Sequence, residues 1–518
     1  MIRRLSLACL VAACGGETTP PPACDVDACA AEGKLCEADA CIDPWRFGSP
    51  AWSRCEGDPH ATPESLATKA AAYDARILGL HIHPEMPWVL DAALVAGTNP
   101  ETATVQDVAA WRSGENDGLW SALALASQAY RYAVTRDPAA RDTLAKLLDG
   151  ERLRMRITGV PGLFTRQLIP PGIAGLACPT DPALYVPSPD KRGNKWVRID
   201  PNGCAAVADT TGVFTATSHC GLTEFASWCF LDNISQDEYI GHVFALGAVA
   251  RLVDDPALQA EAVDMLRQVG EHLAANDMAF VDWDGRLTQW GKVYPGADGD
   301  TPGYLAILGL SFAATAATGT GDPALATSYR QLAWDGYFDQ ISQWTGPDGC
   351  GANWNNLSML TASFHHLIWN DPARRAPLQA VFERELVEPG VTRGILAEHN
   401  AWYDIMWAAQ KPLGPGTDGP AFDAVEDAVC QLRQFPRSNH VVARDTTSAP
   451  EVCTGRQGES LALAAFEVAD RSAATYIWWG NPYIRSVSTE DPTLVNNPAG
   501  YLLPYWMARY YGFVSAEQ

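Results

Sequence analysis

Residues 236–275 read QDEYIGHVFALGAVARLVDDPALQAEAVDMLRQVGEHLAA. Two helix-period runs flank Asp255-Pro256-Ala257. The Asp offers a cap for the next helix, the Pro fits its first turn, and the Ala propagates it. The unit is therefore a helical hairpin. Its signature recurs at Asp137-Pro138-Ala139, Asp322-Pro323-Ala324 and Asp371-Pro372-Ala373.

Working outward, the pattern predicts pairs at 118–135 with 138–155, 237–253 with 256–275, 303–318 with 323–343, and 355–369 with 372–387. Two looser pairs follow, 397–410 with 420–434 and 457–474 with 498–512, and a helix near 64–79 precedes them all. The first helices are rich in Ala, Gly and Leu, as an inner ring buried on two sides requires. The spacings of 118, 67 and 49 residues between the four Asp-Pro-Ala copies do not suit a regular solenoid. The predicted fold class is all-α, a six-hairpin (α/α)6 toroid. Short β-hairpin insertions and a small Cys-rich N-terminal segment complete it. An open α-solenoid is the alternative.

The 518 residues carry a formal net charge of −24, and 47% are hydrophobic. Such a surface repels nucleic acid, and no basic stripe interrupts it. The 18 Trp and 16 Tyr are many for this length. Most Trp packs cores, but in an exported chain the surplus suits stacking on sugar rings.

The N-terminus predicts export. Arg3 and Arg4 precede a short apolar run, Leu5 to Ala13, of signal-peptide length. The run ends in Val11-Ala12-Ala13-Cys14, which resembles a lipobox, with Cys14 as the lipidated residue. The expected division is a signal peptide at 1–13, a lipidated Pro-rich tether at 14–23, a Cys-rich knob and linker at 24–60, and the toroid at 61–518. Contact with the membrane is expected through the lipid alone, at the outer membrane or cell surface, since no Asp follows Cys14. Of the 14 Cys, Cys9 leaves with the signal and Cys14 takes lipid, so twelve remain for disulfides in an oxidising compartment. Cys24, Cys29, Cys36, Cys41 and Cys55 fall near the N-terminus. Cys178, Cys204, Cys220 and Cys229 fall in one long insertion. Without C-x2-C spacing no zinc site is expected, and no cofactor motif occurs in a fitting context.

In a ring of hairpins, the loops entering the inner helices converge on one mouth. Here those loops hold Glu115-Asn116-Asp117-Gly118-Leu119-Trp120, Asp232 to Glu238, Asn353-Trp354-Asn355-Asn356, and Glu398-His399-Asn400 to Asp404. Carboxylates serve acid, base or nucleophile roles, amides bind hydroxyls, and Trp stacks. The same residues suit helix ends. Asn116 or Asp117 reads as an N-cap, and Ser235-x-x-Glu238 as a capping box. His242 shares a helix face with Glu238. His365 and His366, on an apolar helix, read as core residues.

Several of these stretches together resemble a family of uncharacterised exported bacterial proteins. They are Asn116 to Trp120, 124–135, Gly159-Val160-Pro161-Gly162, Ser235 to His242, Thr288-Gln289-Trp290-Gly291, Trp354-Asn355-Asn356 and 502–513. The likeness runs over roughly 110–513. It implies an architecture similar to six-hairpin toroid glycosidases and polysaccharide lyases. This chain departs from the family with Gln236 in place of Ser, and with Tyr403 where an Asn follows Trp402.

The expected function is action on carbohydrate, with hydrolysis by Asp117 and Asp237 and with Glu238 as stand-in. His242 and Arg166 would orient or bind substrate. Asn116, Trp120, Trp290, Trp354, Asn355 and His399 would line subsites. Lyase chemistry and a non-catalytic glycan-binding or scaffold lipoprotein are the alternatives.

Overall fold

The computed structural model describes residues 35–37, 40–42 and 52–516, apart from 174, 297–302, 347–349, 351–353, 388–393, 412–418 and 472–479. The expected signal, Cys14 and the tether lie outside the described residues. Of the Cys-rich knob only a hairpin, Leu35–Glu37 with Ala40–Ile42, and residues from Trp52 onward are described.

Thirteen helices are described. They are α1 Leu66–Arg76, α2 Asp117–Thr135, α3 Pro138–Arg156, α4 Gln236–Leu252, α5 Pro256–Ala275, α6 Tyr304–Thr320 and α7 Pro323–Leu332. Next come α8 Phe338–Gln343, α9 Trp354–Asn370, α10 Arg375–Phe382, α11 Ala401–Ala408, α12 Pro420–Gln434 and α13 Ala499–Tyr510. The Asp-Pro-Ala signals do what their chemistry predicts. Asp137, Asp255 and Asp322 each accept the N–H of the following Ala with Pro in the first turn, and Asp371 caps a 3-10 turn that leads into α10.

Six helices close a ring by packing each on the next, in the order α2, α4, α6, α9, α11, α13 and back to α2. Each is backed by one outer helix: α2 by α3, α4 by α5, α6 by α7, α9 by α10, α11 by α12 and α13 by α1. The lumen is filled rather than open. Phe244 of α4 stacks on His366 of α9 at 4.5 Å and meets Trp402 of α11 at 5.7 Å.

The sixth pair differs from expectation. Residues 457–471 form no helix. Glu451–Thr454 and Ser460–Ala462 pair as a hairpin, and Val468–Asp470 is a 3-10 turn. Gly458, at φ +90°, turns the chain there, and the Cys350–Cys453 bridge fixes it. The second helix of that pair, α13, expected outside, takes the sixth inner place instead, and the N-terminal helix α1 backs it from outside. At this seam Asp74 of α1 accepts from Gln128 Nε2 of α2 at 2.8 Å and from Trp506 Nε1 of α13 at 3.1 Å. Tyr501 Oη of α13 donates to the carbonyl of Leu66 at 2.8 Å. Lys69 Nζ donates to three carbonyls at the end of α12, those of Leu432, Arg433 and Phe435.

Nor is the chain all-α, because its β structure exceeds short hairpins. The insertion between α3 and α4 builds a five-stranded antiparallel sheet. Its order is Gln167–Ile169, Cys229–Leu231, Trp196–Ile199, Cys204–Ala208 and Phe214–Cys220. Cys178–Cys229 and Cys204–Cys220 staple it. A four-stranded sheet joins Asp91–Leu94 and Val108–Arg112 to Asp491–Val495 and His440–Val441.

Residues 52–55, expected in the Cys-rich knob, pack into the core of the toroid. Trp52 is 5% exposed and stacks on Phe422 of α12, Cys55 is bridged to Cys430 of α12, and Arg54 pairs with Asp427. Replacing Cys55 and Cys430 together by Ser should therefore cost roughly 2–5 kcal/mol in chemical denaturation. A chain that begins at Thr62 should lose at least as much. A loss under about 0.5 kcal/mol, the scale of a neutral surface change, would show that this strap does not support the toroid.

Candidate functional site

α2 and α4 are neighbours in the ring, and their N-termini bring most of the expected residues together. Arg166 joins the two. Its Nη1 donates to Ser235 Oγ at 2.6 Å, and its Nη2 donates to Asn116 Oδ1 at 3.4 Å. The sheet aims it there, since Arg166 immediately precedes strand Gln167–Ile169 and Ser235 follows the neighbouring strand Cys229–Leu231. A knot behind the sheet steadies Ser235. Lys191 Nζ, 6% exposed, pairs with Asp232 at 2.7 Å and Asp282 at 2.8 Å, and the Asn233 N–H donates to Asp282.

The capping reading fails at this site. Neither Asn116 nor Ser235 makes a side-chain cap. Ser235 Oγ instead donates to Asp237. Asp117 accepts from Ser113 Oγ and from the Gly114 N–H at 2.6 Å. Glu238 makes no capping box, because both its oxygens are buried without a hydrogen-bond partner. These first turns carry groups that the helices do not need.

Burial shapes the electrostatics. It pushes the Asp117 carboxyl up to about 6, against the pull of Arg154 and the hydrogen bonds from Ser113 and Gly114. Glu238 is fully enclosed and held well above the usual carboxylate range. Desolvation is the main cause, Arg166 and Arg154 oppose it, and Asp237 and Asp117 add to it.

His242, one turn below Glu238, is fully buried. Its ring stacks on Phe164 at 4.2 Å, and its Nδ1 is hydrogen-bonded to Glu151. Its Nε2 lies over Gly118, where an added Cβ would sit 2.9 Å from it. Gly118 is thus the one residue that fits beneath the imidazole.

Two neighbours were not anticipated, Glu151 and Arg154 of α3, at 1% and 0% exposure. Arg154 Nη1 donates to the Arg166 carbonyl at 3.1 Å, and its guanidinium lies 5.5 Å from the Trp88 ring centroid. On an outer helix such charges read as a solvated face. The signal that could have found them is their register. They continue the buried stripe of Leu144, Leu147 and Leu148 at helical spacing.

The other expected residues are placed apart. Trp120 is half-buried against the core. Trp290 is 58% exposed on strand Leu287–Lys292, which pairs with Ala279–Val281 and is tied to α4 by a Gln236 Nε2 bond to the Lys292 carbonyl at 2.8 Å. The side chains of Trp354 and Asn355 lie outside the described residues. His399 belongs to a second acidic cluster, across the ring on α11. Its Nδ1 meets Asp427 Oδ2 at 2.9 Å, near the buried Asp404, whose carboxyl is raised by burial and by Asp427 and Glu398. Among the described residues no group of His, Cys, Asp or Glu has the arrangement of a metal site.

No protein-family model matches the chain, and no curated protein matches it. Similar solved structures include a metagenome-derived glycoside hydrolase family 9 endoglucanase, at 13% identity over 92% of this chain and 82% of that one, with TM-score 0.41. The cellobiose 2-epimerase of Spirochaeta thermophila is similar at 12% identity over 86% and 97%, with TM-score 0.34. A glycoside hydrolase family 76 mannosidase of Bacteroides thetaiotaomicron is similar at 11% identity over 71% and 98%, with TM-score 0.27. Likenesses this distant decide neither substrate nor chemistry.

Glu238 yields a prediction about stability. Its carboxyl has a higher pKa folded than unfolded, where it sits near 4.5. Above pH 4.5 the unfolded chain releases this proton while the folded chain keeps it, so stability falls as pH rises. Glu238→Gln should remove that decline. Its melting temperature should exceed that of the parent at pH 8 and match it at pH 4. An unchanged difference between the two pH values would show that the carboxyl is not held protonated.

Proposed function

We propose that the protein is an exported, lipid-anchored enzyme that hydrolyses glycosidic bonds, with Asp117 as general acid and Asp237 as its carboxylate partner. The observation that carries this reading is the placement of two carboxyls on neighbouring helix ends, both within electrostatic reach of Glu238. They lie in the first turns of adjacent inner helices, each hydrogen-bonded to its own serine, with Arg166 bridging the helix ends. Glycoside hydrolysis requires two carboxyls in unlike environments, one to protonate the leaving oxygen and one to activate water or attack the sugar.

Asp117 suits the acid role because burial keeps its proton up to about pH 6. Asp237 is the more exposed of the two, as a group that meets water or substrate should be. Glu238, enclosed behind them, holds a proton and spares Arg166 and Arg154 as cations for the site. Trp290 on its outlying hairpin offers an exposed ring for a sugar face, with the half-buried Trp120 nearer the acids. Export and anchoring rest on the n-region, the apolar run and Cys14. No described helix is long and apolar enough to cross a membrane.

Assay of a glycan panel for both binding and turnover tests the reading. Hydrolysis should fall as pH rises through about 6, where Asp117 gives up its proton. Asp117→Asn and Asp237→Asn should each lower turnover by a factor of about 100 or more while leaving the melting temperature nearly unchanged. Unsaturated sugar products would replace the reading with lyase chemistry. Binding without turnover would replace it with a glycan-binding lipoprotein. Separately, Cys14→Ser should abolish labelling by a fatty-acid probe and release the protein from membranes. Retention of the label would remove the lipid anchor from the proposal.

A further inference from the structure

Two sheets flank the start of α2. The five-stranded sheet brings Arg166 between the ends of α2 and α4. The four-stranded sheet lies on the other flank, towards α13. Its strand Val108–Arg112 leads into α2, and its strand Asp491–Val495 leads into α13. Asp91–Leu94 runs antiparallel between these two, so its first residue stands beside the last residues of both. Asp91 is paired in register with Arg112, and Ser113, the next residue, donates to Asp117. The α13 side of Asp91 is fixed as well. Its Oδ1 accepts the Asn497 N–H at 2.7 Å and Asn497 Nδ2 at 3.3 Å, and Asn497 Oδ1 in turn accepts the Ala499 N–H at the start of α13.

One oxygen of Asp91 is thus committed and the other is not. Oδ2 accepts no hydrogen bond among the described residues and keeps accessible surface, Asp91 being half-buried. Its charge is felt at Asp117, whose carboxyl it helps to raise. Holding the sheet to α13 needs only the first oxygen. The second is a charged acceptor, held in place beside Asp117, with nothing in the fold to use it. Arg112 is exposed and acts electrostatically on the same carboxyl. The two charges offset each other, which suits neutral hydroxyls and gives a cation little to gain.

We propose that Asp91 is a ligand-binding residue of the mouth, its free Oδ2 accepting the hydroxyls of a neutral sugar bound on the α13 side of Asp117, and that the ligand is an oligosaccharide laid across the ends of α4, α2 and α13. Packed helices stand roughly 8–10 Å apart. A ligand that reaches from Asp237 on α4 past Asp117 to Asp91 crosses more than one such interval, which a single sugar ring does not span. The inference rests on the carbohydrate reading of the mouth, but not on which chemistry occurs there.

The test is titration calorimetry on the full chain at neutral pH. The probes are glucose and mannose, their α- and β-linked oligosaccharides of up to six units, and oligogalacturonates of the same lengths. The parent should bind a neutral series, and at least tenfold more tightly as tetramer than as monomer. Asp91→Asn keeps an oxygen for Asn497 and the shape of the side chain, but puts an amide donor where the free acceptor stood. It should weaken binding of the tetramer about tenfold, the worth of one charge-assisted hydrogen bond, and leave the melting temperature near that of the parent. The length dependence of the parent serves alone if the variant fails to fold. Undiminished tetramer binding by Asp91→Asn, or equal affinity of the parent for monomer and tetramer, would overturn the inference and leave the carbohydrate reading standing. Preference for the oligogalacturonates would overturn the neutral sugar. A parent that binds no probe would overturn both readings. Weakened tetramer binding in Asp91→Asn, together with a parent that hydrolyses none of the probes, would support the inference and remove hydrolysis alone.

Discussion

The architecture follows from helices that have no side to show to water. In α6 nearly every residue from Leu305 to Ala317 is buried, and α4 is enclosed over most of its length. A helix of this kind needs neighbours all round it. A single layer of hairpins leaves one flank of its first and last inner helices bare. Closing the layer on itself removes both bare flanks at once, and six hairpins of this size close around a lumen that side chains such as Phe244, His366 and Trp402 can fill. The β insertions, the strap at residues 52–55 and helix α1 all attach to a ring that exists for this reason.

The same closure creates the chemistry. Inner helices that run side by side bring their N-terminal ends, and the positive ends of their dipoles, to one face. Acidic side chains there are electrostatically welcome, yet burial denies water to Asp117 and Glu238. Asp117 and Glu238 therefore hold their protons more tightly than free carboxyls, with Arg154 and, at Glu238, Arg166 pulling the other way. The Lys191 knot behind them shows how the insertion contributes. It does not enter the ring, but it fixes the entry to α4 and with it Ser235.

Local signals were legible in the sequence, and long-range substitutions were not. Asp-Pro-Ala announces a helix start through contacts within three residues, so the first four hairpins are readable to within a few positions, and the fifth follows from its helical periodicity alone. The sixth is not. Residues 457–474 carry enough Leu and Ala to look helical, and only a glycine turn, a distant disulfide and the arrival of α1 decide otherwise. The five-stranded sheet also escaped detection, because its strands pair across the insertion. At the site, residues in the loops before inner helices were identifiable from their chemistry. Glu151 and Arg154 were hidden because charge on an outer helix ordinarily means solvent, and only their register with Leu144 and Leu147 points inward. His399 was grouped with the others by type, although it faces a separate acidic cluster on the opposite side of the ring.

The seam has a consequence for how the chain reaches its native state. Leu66 and Tyr501, which are hydrogen-bonded there, are 435 residues apart. α1 leaves the ribosome first and α13 nearly last, so no partial chain can complete the circle. Until α13 arrives, the inner helices at the open ends expose apolar flanks, the circumstance in which large proteins aggregate or recruit chaperones. Loop-closure entropy grows only slowly with length and does not forbid so distant a contact, but high contact order makes it slow. Closure of the ring thus waits for α13. If the chain is exported as proposed, a ring that cannot close before α13 is made would keep it threadable through a membrane.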